Sequence, residues 1–123
     1  MATPISIDSA KMQSGKYRAF VDPPIIGIGD TPGDTVTWTN ATTDKVTLWF
    51  PNGGRVFDPP PISSFSNFSN SLIDIPAGTA RTLTIKGAGG RPGPDHGYYK
   101  YSVYCEQVRD FAQGNSEPGL HVP

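Results

Sequence analysis

Polar and apolar residues alternate in twos along much of this chain, the period of a strand with one buried and one wet face. The clearest run is Thr35-Val36-Thr37-Trp38-Thr39-Asn40, in which Val36 and Trp38 share a face. Lys45-Val46-Thr47-Leu48-Trp49-Phe50 repeats the pattern and predicts Val46, Leu48 and Phe50 inward, Trp49 outward. Ile5 and Ile7 mark a first strand, and the neighbouring Pro4 suits an edge position, because proline cannot donate to a ladder. Lys16 to Asp22 predicts a second strand, which Pro23-Pro24 stops before a third at Ile25 to Ile28. Ser71 to Ile75 and Arg81 to Lys86 read as two more strands around a Pro76-Ala-Gly turn, with Leu83 and Ile85 inward. The strongest signal is Tyr98 to Cys105, read as one continuous strand. A loop follows, then a short strand with Leu120 and Val122 inward and His121 outward. A turn or two of helix fits between Glu106 and Ala112, since nothing breaks it before Gly114.

Composition turns these segments into a fold class. Glycine (14) and proline (13) exceed a fifth of the 123 residues, which argues for short strands with many turns and against a helical bundle. The length suits a single domain, residues 1–123, with one core between two layers. The expected fold is an all-β Greek-key sandwich of about seven or eight strands. Pro51 to Asn70 interrupts the pattern with Pro59-Pro60-Pro61 and a Ser/Asn/Phe-rich stretch lacking periodicity. Phe65 and Phe68 within it are expected to tuck against the sandwich, or else to form a contact patch.

Charge and candidate chemistry narrow the function classes. The net charge is −1 without any block of like charge, so a non-specific hold on nucleic acid or an anionic membrane is not expected. No stretch approaches the length of a membrane span. Met-Ala-Thr-Pro-Ile-Ser lacks the features of a signal peptide, which leaves a mature secreted chain or a cytosolic one. One cysteine excludes an intramolecular disulfide. Two histidines and one cysteine lie in unrelated segments, and neither paired carboxylates nor a glycine-rich phosphate loop stands out. The expectation is therefore a protein that is not an enzyme. Asp58, Asp74 and Asp95 read as turn residues bonding their own backbone. Trp49, Tyr98 and Tyr104 fall on outward faces and belong to the residue types enriched at interfaces. With Phe65 and Phe68 they make up the candidate partner-binding set, unless the long loop covers them.

Four segments carry a resemblance: Pro32-Gly-Asp-Thr-Val-Thr-Trp-Thr-Asn40, Ile75-Pro-Ala-Gly-Thr-Ala-Arg-Thr-Leu-Thr-Ile85, Tyr99-Lys-Tyr-Ser-Val-Tyr-Cys105 and Gly114-Asn-Ser-Glu-Pro118. In this order they resemble the cupredoxins, the blue-copper β-sandwich. The resemblance implies copper held by two imidazoles and a thiolate with a weak axial ligand. In the family the first histidine follows the Asn that ends the Trp-containing strand, and Asn40 to Thr47 contains none. The second histidine and the methionine belong to the loop after the cysteine, and Glu106 to Pro118 offers neither. Only Cys105 carries over, at the thiolate position. Along a continuous strand His96 would lie roughly 30 Å from Cys105. His121, just past the loop, is the remaining candidate ligand.

The expectation is a cupredoxin-like binding or assembly module without a cofactor. Its partner would be another protein or a second copy of itself, through the aromatics, the loops or an open strand edge. Cys105 then reads as a small buried hydrophobe. The alternative is a copper-binding electron-transfer or copper-carrier protein with unusual ligation through Cys105, His121 and a group from another chain. The resemblance suggests a periplasmic or extracellular compartment, and a cytoplasmic one if the chain is full length.

Overall fold

A computed structural model describes residues 2–28, 33–51, 56–57, 71–87, 97–112 and 118–122. Every regular element among them is a strand: β1 (Ala2–Lys11), β2 (Tyr17–Asp22), β3 (Ile25–Gly27), β4 (Thr35–Asn40), β5 (Val46–Phe50), β6 (Ser71–Ile75), β7 (Ala80–Thr84), β8 (Gly97–Lys100), β9 (Ser102–Cys105), β10 (Asp110–Phe111) and β11 (Gly119–Val122). They form three sheets, ordered β2-β1-β4-β7, β10-β9-β5-β6 and β3-β11-β8. This is the expected all-β sandwich class, with more strands than the seven or eight expected. Two of the additional strands have a plain origin: the aromatic run ending at Cys105 is split, and β10 is a two-residue pairing that periodicity does not register.

The split occurs at Tyr101. β8 pairs with β11, whereas β9 pairs with β5 in a different sheet. The chain changes sheets there, and the Tyr101 N–H donates to the Pro118 carbonyl at 3.0 Å. Alternation passes through the change unbroken: Tyr101, Val103 and Cys105 are buried while Tyr98 and Lys100 are exposed. The continuous strand expected from Tyr98 to Cys105 is thus corrected.

A second correction concerns β1, which is not an edge strand. It runs parallel to β4, with Ile5 opposite Trp38, and antiparallel to β2, with Ile7 opposite Val21. Pairing with β2 begins only at Ser6, so Pro4 occupies a stretch with β4 alone beside it. That local one-sidedness is what accommodates the proline inside a central strand.

The core gathers the predicted inward residues of β4 and β5 around four aromatic rings, those of Trp38, Phe50, Phe57 and Tyr101. Trp38 meets Phe50, Phe57 and Tyr101 edge-on at centroid distances of 5.4, 6.0 and 5.7 Å, and Phe50 stacks on Tyr101 at 5.3 Å. Truncating a buried ring of this size costs about 3–5 kcal/mol. The cluster also holds a polar link, since the Trp38 indole N–H donates to the Tyr101 hydroxyl at 3.1 Å. Burial pushes the Tyr101 phenol up to about 12, although the Trp38 hydrogen bond acts the other way.

Candidate functional site

Cys105 closes β9 opposite Val46 of β5 and Asp110 of β10, and it is fully buried. The segment between β4 and β5, where the resemblance would place a histidine, is knit together by a buried asparagine. Asn40 Nδ2 donates to the carbonyls of Asp44 and Ile75, both at 2.8 Å, while its Oδ1 accepts from the Thr42 N–H at 2.9 Å. The Thr42 hydroxyl lies 2.6 Å from the same Oδ1 and is itself buried. This loop is fastened to the turn after Cys105. The Glu106 N–H donates to the Lys45 carbonyl at 3.1 Å, and Gln107 Oε1 accepts from both the Thr43 N–H and the Ser9 hydroxyl at 3.0 Å.

The expected helix between Glu106 and Ala112 is not what forms. Residues 106–109 make a turn, after which Arg109 takes a left-handed conformation at φ 55°. That conformation ends helical progress and returns the chain to Cys105 as β10.

The polar groups that tie the β4–β5 loop to the turn after Cys105 are thus amides, hydroxyls and carbonyls, with no imidazole among them. His121 faces outward on β11 opposite Tyr98, seven residues before Cys105. Tyr98 and His121 belong to the β3-β11-β8 sheet and Cys105 to the β10-β9-β5-β6 sheet, so strand pairing does not bring His121 and Cys105 together. His96 lies outside the described residues. Among the described residues no three His, Cys, Asp or Glu side chains are grouped to hold a metal ion. These residues do not fit a blue-copper centre, which needs two imidazoles beside the thiolate.

A different feature appears on the outer face of the β10-β9-β5-β6 sheet. Trp49 lies opposite Leu72 on one side and Ser102 on the other, Thr47 opposite Tyr104, and Tyr104 opposite Phe111. The result is an apolar stripe that steps diagonally across four strands, from the Leu72–Trp49 pair to the Tyr104–Phe111 pair, whose rings meet edge-on at 5.2 Å. Trp49, Leu72 and Phe111 are 39, 43 and 54% exposed. The side chains enclose a shallow groove of about 310 Å³ floored by Thr47 and Ser102. At one margin Asp74 accepts from the Thr47 hydroxyl at 2.7 Å and meets Lys45 at 3.8 Å. Asp74 is thus a cross-strand partner on β6, not the turn residue it was expected to be.

The predicted aromatics separate accordingly. Trp49 and Tyr104 share the stripe. Tyr98 sits in the β3-β11-β8 sheet with its ring over Gly119, where a Cβ would collide with it. Phe65, Phe68, Asp58 and Asp95 lie outside the described residues. Leu72 and Phe111 were not foreseen as site residues. Leu72 was readable from its phase against the inward Ile73 and Ile75, whereas Phe111 was hidden in a segment with a helical look.

No family model matches the chain, and no curated protein matches it. Among solved structures it is similar to reduced auracyanin from Roseiflexus castenholzii, at 11% identity and a TM-score of 0.56, over 99% of this chain and 96% of that one. It is also similar to a multicopper oxidase from Campylobacter jejuni, at 14% identity and a TM-score of 0.56. There, 99% of this chain spans 25% of the oxidase. A purple cupredoxin from Nitrosopumilus maritimus aligns over 98% of this chain and 99% of its own at 19% identity, with a TM-score of 0.49. At such identities the likeness is one of fold, and the fold is cupredoxin-like.

Proposed function

We propose that this cupredoxin-like chain is a metal-free, non-catalytic module that binds a protein partner through the apolar stripe of the β10-β9-β5-β6 sheet. The observation that carries this reading is the pair Leu72–Trp49 and the pair Tyr104–Phe111, set diagonally to each other along one groove on an outward sheet face. Contiguous apolar surface rimmed by polar groups marks interaction sites, and Trp and Tyr are the side chains that concentrate binding energy there. The rim is supplied by Thr47, Asp74 and Lys45. At the other candidate site, the reading is supported by the segments that flank Cys105, which are tied together by Asn40, Thr42 and Gln107 and carry no imidazole.

A second copy of the chain is the first partner to test. Sedimentation velocity from about 1 µM to about 1 mM is expected to show association in the parent and its loss in Trp49→Asp. A parent that stays monomeric throughout removes self-association. A Cu²⁺ titration decides the metal question: an intense thiolate-to-copper band in the parent, absent in Cys105→Ser, would overturn the metal-free reading.

A further inference from the structure

We infer that the groove between the β1–β2 turn and the turn leading into β10 takes an acidic, leucine- or aromatic-bearing segment of a protein partner. The inference rests on the reading of the chain as a binding module and names a partner chemistry for the surface beside the stripe. The β1–β2 turn is closed by the Met12 N–H donating to the Lys16 carbonyl at 2.7 Å and the Gly15 N–H donating to the Met12 carbonyl at 2.9 Å. Facing it, residues 108 to 111 form the second wall, and the space between holds about 590 Å³.

Charge is unevenly placed there. Lys16, Arg18 and Arg109 line the groove with a single carboxylate, Asp110, on a chain whose net charge is −1. Among the described residues none of the three cations is in an ion pair. Two guanidinium groups in one groove suit carboxylates, which they can bind in a bidentate fork. Gln13 and Ser14 add neutral polar groups, and the apolar part of the lining includes Met12 and Tyr17, both exposed, with Phe111 at its end. A phosphate or sulfate polymer calls for a row of cations along its charged backbone, whereas three cations interleaved with methionine and aromatic rings match alternating acidic and apolar side chains. Phe111 lines both this groove and the one on the stripe, so the two surfaces are continuous and one segment can cross from the first onto the second.

The test uses a fluorescein-labelled peptide alternating glutamate with leucine and phenylalanine, its lysine counterpart, and a sulfated oligosaccharide, followed by anisotropy. The acidic peptide should bind the parent and weaken as salt is raised, and the lysine peptide should not bind. Arg18→Glu/Arg109→Glu should weaken binding by about tenfold or more, because like charges then oppose the ligand. Arg81→Glu, a single charge reversal at an exposed position of β7, should stay within about twofold of the parent, whereas Arg18→Glu alone should already weaken binding beyond that. Circular dichroism melts establish that each variant folds. Absence of binding to the parent overturns the inference, as does equal binding by the double variant or tighter binding of the sulfated oligosaccharide. If the peptide fails while stripe-dependent self-association of the parent persists, the groove assignment falls and the stripe reading stands.

Discussion

Raising the pH should unfold this protein in a way that one buried phenol largely controls. Tyr101 is 2% exposed, and its hydroxyl is pushed from 10.0 to about 12, chiefly by burial. Below pH 10 the folded and unfolded chains both hold the phenolic proton, and the contribution of the neutral phenol is complete. Between pH 10 and 12 the unfolded chain has released that proton while the folded chain retains it, so stability falls as pH rises. Two pH units at about 1.4 kcal/mol each give about 2.7 kcal/mol lost, roughly a hundredfold in the folding equilibrium. Tyr101→Phe removes this dependence. It also leaves the Trp38 N–H without its acceptor, a cost of about 1–3 kcal/mol at neutral pH. The variant should therefore be the weaker protein at pH 7, and the gap should close or reverse by pH 12. Urea denaturation of both proteins at half-unit steps from pH 8 to 12, followed by tryptophan fluorescence, measures the gap directly. Parallel loss of stability in parent and variant across pH 10 to 12 would refute the reasoning.

Two further outcomes follow from the region around Cys105. Asn40→Ala strands the Asp44 and Ile75 carbonyls and the Thr42 N–H in a buried setting, and it should cost about 3 kcal/mol in urea unfolding. The Cys105 thiol, with no exposed surface, should react with a disulfide reagent only as the chain opens, at least about a thousandfold more slowly than in the denatured protein. Fast labelling in native buffer would show that the Gln107 turn does not seal the cysteine.

Much of the fold is legible in the sequence because side-chain period is local. Val36, Trp38, Val46, Leu48 and Phe50 declare their inward face within six-residue windows, and burial agrees at every one. What period cannot declare is the neighbour. β1 reads as an edge strand because its second partner, β4, arrives some thirty residues later as a parallel strand. The sheet change at Tyr101 is silent because alternation is the same on both sides of it. The stripe is partly legible in the same sense: Trp49 and Tyr104 reveal a face, but only cross-strand register pairs Trp49 with Leu72 and Tyr104 with Phe111 in adjacent rows. The Gln107 clasp joins Ser9, Thr43 and the turn after Cys105, residues that share no local pattern.

The position of β11 has a consequence for how the chain is made. It is the middle strand of its sheet, parallel to β3 and antiparallel to β8, yet it is the last of the described strands in chain order. During vectorial synthesis β2-β1-β4-β7 is complete once Thr84 has left the ribosome, and β5 can already pair with β6. Ile25 to Gly27 and Gly97 to Lys100 must then wait without a ladder until Gly119 to Val122 emerge between them. The β3-β11-β8 sheet is thus the last of the three that can close, and the sandwich is completed only when β11 takes its place between its two neighbours.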